Sequence, residues 1–494
     1  MAKNDYKKLE LTWAGKDAQV SPEPRILLEQ ADKSYGDFDT GNMLIHGDNL
    51  LALKSLEADF AGKIKCIYID PPFNTGSAFK YYDDGVEHSV WLSLMRDRLE
   101  ILKDLLAPDG AIFVHIDYNE EAYLKVLCDE IFGRNNFRNT IIISRIKKNI
   151  REREFVKALN YAQDAILFYA KSDACFIRPP QKEMKMEERW HALDAGGLRT
   201  GMDYELFGKK PPQGRHWAWS YDKAMKAIAD GILKPHPKTG RPVYKIAASD
   251  GIMVDTNWTD LQASSFNWDF PGGEKNEKLL QRVFEMITQE GDLVLDSFLG
   301  SGTTAAVAHK MGRRWIGIEL GDHAYTHCIP RLQKVIDGTD TGGISKAVGW
   351  TGGGGFKFYE LASSLVVKDA RGFDIISKEY NGDMLAEAMC KIMGFKYRPD
   401  KAVFWKQGRG TEKNWLFTAT MTLTEDYLEE IHAELGSDSL LICCGGFTGK
   451  KDAFKNISIK KIPKAILEKC EWNKPGYPLP VREDFTDKDF EFEA

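Results

Sequence analysis

Two consecutive prolines interrupt an apolar run early in the chain. Residues 64–73 read IKCIYIDPPF, so an acid, both prolines and a phenylalanine follow six mostly apolar residues. The run predicts a buried strand, and the strand must stop at Asp70 because proline has no backbone N–H to pair. Ligands of open α/β sheets bind at the carboxyl ends of strands. A simple turn would explain Pro71 but neither the acid nor the ring, so we interpret Asp70–Phe73 as part of a site.

A glycine-rich turn follows a second predicted strand. Residues 293–304 read LVLDSFLGSGTT, which indicates a strand, a turn and the start of a helix. Gly300 and Gly302 allow the backbone to approach a ligand closely, and helix N–H groups then face that ligand. A phosphate-binding loop is excluded because Thr303 stands where the lysine of that motif would follow Gly302. A dinucleotide fingerprint is also missing.

An acid ends the next predicted strand. RRWIGIEL places Glu319 23 residues after Asp296. An acid at roughly this interval after a glycine turn is the usual partner of ribose hydroxyls. Without a phosphate-binding lysine, a nucleoside that carries no phosphate fits best. This description suits S-adenosylmethionine.

Composition limits the class of protein. With 494 residues, 43% hydrophobic and 28% charged, the chain predicts a soluble protein of several domains. It has no apolar run of about 18–20 residues that would span a membrane, and its first residues lack a secretory signal. Eight cysteines without metal-ligand spacing predict buried thiols in a reducing cytoplasm and no metal site.

The net charge of −6 hides a basic stretch between Arg134 and Lys157, which has eight basic residues and two glutamates. A solvated helix face with ion pairs is the ordinary explanation of such a run. The alternative is a local patch that binds nucleic acid. The candidates for phosphate contacts are Arg145, Lys147, Lys148, Arg151 and Arg153.

The two site motifs together resemble a known family. Asp-Pro-Pro-Phe followed about 230 residues later by GSGTT is similar to the β class of DNA amino-methyltransferases. Further stretches resemble the modification (Mod) subunits of type III restriction–modification systems, among them GNMLIHGDNLLALKSL, HSVWLSLMRDRL, LAPDGAIFVHID and GGGGFKFYEL. The resemblance implies an α/β, class I (Rossmann-like) methyltransferase sheet in permuted order. In that order the strands before Asp70 and Asp296 lie side by side.

The order of elements and the resemblance together divide the chain into five parts. We expect an N-terminal arm (1–40), the half of the methyltransferase domain that carries IDPPF (41–170), an inserted target-recognition domain (171–262), the donor-binding half with GSGTT (263–345) and a C-terminal α/β domain with an acidic tail (346–494). The alternation of strands and helices in the first half predicts a parallel sheet. The residues after 171 lack a sustained period, which is why we interpret them as an insert.

The resemblance also implies roles for the Asp-Pro-Pro-Phe residues. Asp70 and the carbonyl of Pro71 would accept the two N–H bonds of adenine N6, and Pro72 would stiffen the turn. Phe73 would stack on the base after it is flipped out of the duplex. The commoner residue at this position is tyrosine, so any role of its hydroxyl is lost here while stacking is kept.

The family's donor site carries over to ten residues. Those expected around S-adenosylmethionine are Asp48, Phe270, Lys275, Asp296, Phe298, Gly300, Ser301, Gly302, Thr303 and Glu319. For Asp48 and Lys275 a helix cap or a surface charge is the competing interpretation.

The partners implied by the resemblance are double-stranded DNA, a second copy of the chain and a restriction (helicase–nuclease) subunit, in the prokaryotic cytoplasm near the nucleoid. Two alternatives stay open. One is the same chemistry on cytosine N4, RNA or a protein glutamine, and the other is a non-catalytic DNA-binding subunit on the same fold.

Overall fold

The computed structural model describes residues 10–18, 20–73, 87–145, 161–265, 270, 273–411, 413–450 and 453–474. The chain divides into two compact units, the first formed by Met1–Arg178 with Thr256–Ala494 and the second by Pro179–Asp255. In the part that the structure describes, no helix is long and apolar enough to cross a membrane.

The first unit begins with seven strands and three helices in its described residues. They are β1 (Leu27–Glu29), β2 (Tyr35–Gly36), β3 (Met43–His46), α1 (Asn49–Phe60), β4 (Ile64–Ile69), α2 (His88–Leu105), β5 (Leu106–Ile116), α3 (Glu121–Cys128), β6 (Phe137–Ser144) and β7 (Gln163–Ala170). A π-helical turn, Asp129–Gly133, extends α3. As the prolines require, β4 ends immediately before Asp70.

The second unit is built from short elements. They are β8 (Gln181–Met186), β9 (Arg189–Ala192), β10 (Asp194–Gly196), β11 (Arg215–Trp217), α4 (Tyr221–Ala229), β12 (Leu233–Pro235), β13 (Pro242–Ile246) and β14 (Ser249–Met253). Its small core packs α4 against Leu193, Trp217 and Leu233. The second unit, Pro179–Asp255, spans fewer residues than the predicted insert of 171–262.

The first unit resumes at Thr256. Its elements are β15 (Asn257–Gln262), β16 (Ser264–Ser265), β17 (Glu274–Lys275), α5 (Glu277–Ile287), β18 (Leu293–Asp296), α6 (Thr303–Lys310), β19 (Arg314–Glu319), α7 (Ile329–Ile336) and β20 (Gly355–Leu361). Residues 171–178 and 256–262 therefore lie outside the second unit. The sequence does not reveal this because only Trp258 and Leu261 of β15 are buried, which is too short a pattern to identify a strand.

The main sheet has the strand order β1-β20-β3-β19-β18-β4-β5-β7-β6-β15 among the described residues, with β2 paired to β20. Its six central strands, from β20 to β5, are parallel. The expected parallel sheet is confirmed for these six strands, but β7 runs antiparallel to both β5 and β6, and β1 and β2 run antiparallel to β20. β7 is buried along nearly its whole length, so its apolar run carries no sign of its direction.

The strands of the two site motifs are neighbours, as expected. β4 and β18 run parallel, with Cys66 opposite Val294 and Ile67 opposite Leu295. Helices α1, α2 and α3 pack their apolar residues on these strands, through Leu53, Leu99 and Leu124 among others. The turns after β4 and β18 consequently lie at the same edge of the sheet.

The C-terminal part contains a smaller sheet. Its elements are β21 (Val366–Lys368), β22 (Asp374–Ile376), α8 (Gly382–Met393), β23 (Lys396–Tyr397), β24 (Gly408–Arg409), β25 (Asn414–Thr424), α9 (Glu425–Leu435), β26 (Ser439–Thr448) and β27 (Ile457–Lys461). Strands β23 to β27 form this sheet in chain order. The predicted acidic tail lies outside the described residues.

The glycine-rich stretch before β20 forms a turn that leads into the main sheet. A Cβ on Gly355 would fall 2.3 Å from the backbone nitrogen of Asp37, so only glycine fits there. Phe356 and Phe358 of β20 are fully buried. β20 pairs with β3 and so belongs to the main sheet, although it lies beyond the expected boundary at residue 346.

Candidate active site

The two motifs place carboxylates at adjacent strand ends. Asp70 directly follows β4, and Asp296 is the last residue of β18. The negative charge of Asp70 is one of the influences that raise the pKa of Asp296. The carboxyl edge of the sheet therefore carries two acids close enough to interact.

Asp70 has two oxygens in different environments. Its Oδ2 forms an ion pair with Nζ of Lys275 at 2.9 Å. Within the described residues, Oδ1 is buried and has no hydrogen-bond partner. A buried acceptor left unpaired costs about 1–3 kcal/mol, so Oδ1 would gain from a hydrogen-bond donor. The family's donor site predicts Lys275 beside S-adenosylmethionine, whereas its ammonium contacts Asp70.

Phe73 lies beside the same carboxylate. Its ring is 5.7 Å from the ring of His115, with 31° between the planes. The Lys275 ammonium is 5.0 Å from the Phe73 centroid, within the range of a cation–π contact. The carbonyl of Pro72 accepts a hydrogen bond of 2.9 Å from the Trp91 indole. The turn is thus fixed from behind, and Phe73 is held next to Asp70.

A chain of hydrogen-bonded polar side chains that sequence reasoning missed lies beside the Asp70–Phe73 turn. His115 is fully buried, with Nδ1 2.8 Å from the Tyr68 hydroxyl and Nε2 3.3 Å from Oδ2 of Asp164. Arg145 adds ion pairs to Asp164 at 3.4 Å and to Asp117 at 3.7 Å. The available signal was HID at the end of β5, but Asp164 joins it only because β7 is antiparallel.

These side-chain contacts determine the protonation state of His115. Burial, together with the charge of Lys275, lowers the pKa of His115. Burial disfavours the charged form of Asp164, yet the hydrogen bond from His115 and the nearby cations bring the pKa of Asp164 below its ordinary value. A neutral imidazole that donates from Nε2 to Oδ2 of Asp164 and accepts the Tyr68 hydroxyl at Nδ1 is consistent with both contacts.

An exposed pair of aromatic rings lies at the carboxyl edge of the sheet. The rings of Tyr118 and Tyr161 stack in parallel, with centroids 3.4 Å apart and 3° between their planes. Tyr118 follows the end of β5 and Tyr161 precedes β7, so the pair stands at the edge that carries Asp70 and His115. Tyr161 remains 59% exposed, which leaves an aromatic surface open to solvent.

Asp296 is a buried acid with an unusual titration. Its side chain accepts hydrogen bonds from Thr304 Oγ1 at 2.5 Å and from the Phe298 backbone N–H at 2.9 Å. Burial raises the pKa of Asp296 to about 7, with smaller contributions from the charges of Asp70 and Glu319. A carboxyl group in this condition gains from a cationic ligand, because the cation offsets the cost of ionising it.

The glycine turn is shaped as the motif predicts. Gly302 caps α6 in the left-handed conformation with φ of 81°, and Gly300 has φ of 57°. The hydroxyls of Ser301 and Thr303 are 3.0 Å apart and buried, so they hold the loop and do not face solvent. A Cβ on Gly300 would lie 3.9 Å from the Phe270 ring, which places Phe270 over the turn.

Glu319 closes the other side of this turn. Its Oε2 accepts the Gly300 N–H at 2.7 Å, while Oε1 accepts the Gly321 N–H at 2.9 Å and lies 2.8 Å from His323 Nε2. Both oxygens of the buried Glu319 carboxylate are therefore engaged with the turns on either side of it. The ring of Phe270 packs edge-on to His323.

Asp48 caps α1, which was the competing interpretation of this residue. Its Oδ1 accepts the Leu50 N–H at 2.9 Å. The next residue, Asn49, donates to the carbonyl of Ser297 at 2.8 Å and accepts from Arg98 at 2.6 Å. The start of α1 is therefore tied to the loop that follows Asp296, and its role toward a ligand remains a proposal.

A buried charge cluster lies behind the glycine turn. Glu277 pairs with Lys310 at 2.8 Å and with Arg331 at 2.9 Å, and Lys310 also reaches Asp340 at 2.8 Å. Arg331 donates in addition to the Thr303 hydroxyl at 2.7 Å. Lys310 and Arg331 are almost completely buried. This cluster fixes Glu277, the first residue of α5, against the glycine turn.

The predicted DNA-contacting residues are described only in part. Arg145 is held by its two ion pairs to buried acids, so part of its charge supports the pocket. The remaining four, Lys147, Lys148, Arg151 and Arg153, lie outside the described residues. Their role stays a prediction.

Known proteins resemble this chain at the level of family. A family model described as DNA methylase, for N6 and N4 methyltransferases, matches residues 64–329. The HindVI Mod subunit of Haemophilus influenzae, named as a type III restriction-modification enzyme, is 34% identical over 440 residues, covering 72% of this chain and 58% of that protein.

Two further relatives show the breadth of the match. The type II methyltransferase M.EcaI of Enterobacter cloacae is 33% identical and covers 56% of this chain and 66% of its own length. The type III EcoPI Mod subunit of Escherichia phage P1 is 29% identical and covers 60% of each chain. The chain thus spans about three fifths of the length of these relatives.

Proposed function

This chain belongs to the DNA methylase family of N6 and N4 methyltransferases, and on that premise we propose that it transfers a methyl group from S-adenosylmethionine to N6 of an adenine flipped out of duplex DNA. The observation that carries the proposal is the buried, unpaired Oδ1 of Asp70 beside Phe73 and next to the strand end of Asp296. An acceptor amine and a methyl donor bound at these two strand ends would meet.

The acceptor side suits an exocyclic amine. The lone pair of adenine N6 is delocalised into the ring, and hydrogen bonds taken from its N–H groups favour the tetrahedral nitrogen that attacks. Asp70 Oδ1 would accept one of them and the Pro71 carbonyl the other. Phe73 would stack on the base, a contact worth about 1–3 kcal/mol. Once the amine is methylated, Asp70 would receive the proton that it loses.

The donor side fits S-adenosylmethionine on two observations. The Gly300–Gly302 turn gives close backbone access, and buried Asp296 with its raised pKa favours a cationic ligand. Asp296, Phe298 and the glycine turn would hold the methionine part, and Glu319 the ribose hydroxyls. When bound, S-adenosylmethionine supplies an electrophilic sulfonium methyl group.

DNA recognition would be divided between parts of the chain. We assign target recognition to the insert whose compact core is Pro179–Asp255, and phosphate contacts to the basic run after β6. The Tyr118–Tyr161 pair would stack on bases next to the flipped one. The names of the relatives, as Mod subunits of restriction-modification enzymes, support a restriction subunit as partner within a restriction–modification or phage-defence system. A second copy of the chain is proposed from the family resemblance alone.

The test is to incubate the purified protein and duplex DNA with S-adenosylmethionine carrying a labelled methyl group. Mass spectrometry of the digested nucleosides should show labelled N6-methyladenine. Asp70→Asn should remove the product. The control is Asp109→Asn, which changes a carboxylate near the opposite end of β5 that pairs with Lys65, and this variant should keep the product. Labelled N4-methylcytosine would replace the adenine assignment, and donor binding without any product would favour the non-catalytic alternative.

A further inference from the structure

We infer that Lys275 is a positioning residue for the acceptor carboxylate: its ammonium holds Oδ2 of Asp70 so that Oδ1 is left to accept the target amine. The inference rests on the proposed function and adds a residue to its acceptor side. The resemblance assigned Lys275 to the donor side, so the inference concerns a role that the motif did not suggest.

The two oxygens of Asp70 are differentiated by Lys275. The ammonium is 2.9 Å from Oδ2, and the two side chains are only 16% and 27% exposed, so the pair is partly shielded from water. Oδ1 is buried and unpaired within the described residues. A carboxylate that is free to rotate could present either oxygen, whereas one held at Oδ2 presents Oδ1. Fixing this rotation is an orientation effect on the reaction.

The backbone of Lys275 is itself fixed. Lys275 pairs with Ser264 in the short antiparallel ladder of β16 and β17. Asn276 follows as the N-cap of α5 and accepts the Lys278 N–H at 3.0 Å. Glu277 comes next, and it is held by Lys310 and Arg331 in the charge cluster behind the glycine turn. Three consecutive residues therefore connect the Asp70 carboxylate to the loop that would bind the donor.

Lys275 also shapes the electrostatics around the base. Its ammonium lies 5.0 Å from the Phe73 centroid and contributes to the lowered pKa of His115. Within the described residues, Lys275 is the cation that pairs with the Asp70 carboxylate. A single Lys275 ammonium satisfies one oxygen. The forked guanidinium of arginine would match both oxygens of a carboxylate and compete with the substrate.

The test compares Lys275→Met and Lys275→Arg with wild type in steady-state methylation, donor binding and duplex binding. Lys278→Met, an exposed lysine three residues away on α5, is the matched control. We expect Lys275→Met to lower kcat about 10- to 100-fold, the range of a lost charge-assisted contact. KM for DNA and Kd for S-adenosylmethionine should stay within about threefold. Lys275→Arg should keep the melting temperature yet remain below wild type in kcat.

Other outcomes overturn the inference in distinguishable ways. A weakened donor Kd with normal kcat at saturating donor would return Lys275 to the donor side. Tighter DNA binding with unchanged kcat would show that Lys275 only competes with the target base for Asp70. If Lys275→Met melts at the wild-type temperature and turns over like Lys278→Met, the positioning role is wrong while the proposed function stands. If the wild-type protein makes no methylated base, both the positioning role and the proposed function are wrong.

Discussion

The pKa of Asp296 predicts that donor binding depends on pH. The carboxyl is buried, and burial raises its pKa to about 7 in spite of hydrogen bonds from Thr304 and Phe298. A sulfonium or ammonium group favours the ionised carboxylate. Binding of S-adenosylmethionine near neutral pH should therefore release a proton from Asp296, and affinity should rise with pH until the carboxyl is fully ionised.

The size of the effect follows from the same pKa. With a pKa of about 7, Asp296 is about 9% ionised at pH 6 and about 91% ionised at pH 8. If only the ionised form binds the donor, the apparent Kd is about tenfold weaker at pH 6 than at pH 8, equivalent to about 1.4 kcal/mol. Above pH 8 the Asp296 contribution should level off.

The assay is calorimetric titration of the donor between pH 6 and pH 8.5, in two buffers with different ionisation enthalpies, so that proton release is measured directly. Asp296→Asn removes the titrating group and should bind more weakly with a flatter profile. The ligand's own titration is common to both proteins and cancels in the comparison. An identical pH profile for wild type and Asp296→Asn would refute the reasoning.

Four further outcomes are expected. Asp70→Ala should abolish methylation while calorimetry still shows donor binding, because this carboxylate acts on the acceptor; substantial residual turnover would remove it from the catalytic role. Phe73→Tyr should be active and Phe73→Ala should lose about 1–3 kcal/mol of stacking, measured as kcat/KM on duplex DNA; equal activity of all three proteins would contradict the stacking role. Tyr161→Ala should weaken duplex binding by up to about 1–3 kcal/mol in a fluorescence anisotropy titration, whereas Phe373→Ala, an exposed aromatic on the turn between β21 and β22, should not; matching losses would show that the tyrosine pair is not a specific contact. Exchange of residues 179–255 for the equivalent unit of a relative should move methylation to a different DNA sequence, detected by single-molecule sequencing, and retention of the original site would place recognition elsewhere.

The strand ends of the site were predictable because they depend on local covalent constraints. Proline stops β4 at Asp70 whatever the rest of the chain does, and glycine permits the left-handed turn at Gly302. The same holds for the helix cap at Asp48, since an aspartate before an apolar helix accepts the free N–H groups at its start. Such features need only neighbouring residues.

The supporting contacts of the site were not predictable in the same way. The sequence indicates neither that β7 runs antiparallel, which brings Asp164 to His115, nor that the β16–β17 ladder delivers Lys275 to Asp70. A charge run likewise predicts solvent-facing cations, while Arg145 turns to two buried acids. These pairings join residues distant in sequence, and the direction of a chain segment decides them.

The buried charge cluster behind the glycine turn has an evolutionary consequence. Removing one partner of a buried ion pair commonly costs about 3–5 kcal/mol, because the other charge is left unbalanced. Glu277 pairs with both Lys310 and Arg331, and Lys310 also pairs with Asp340, so a neutral replacement of any of the four leaves one unbalanced charge in the buried cluster. Among descendants of this sequence the four charges should therefore persist as a set, and random mutagenesis should reject each single neutral replacement.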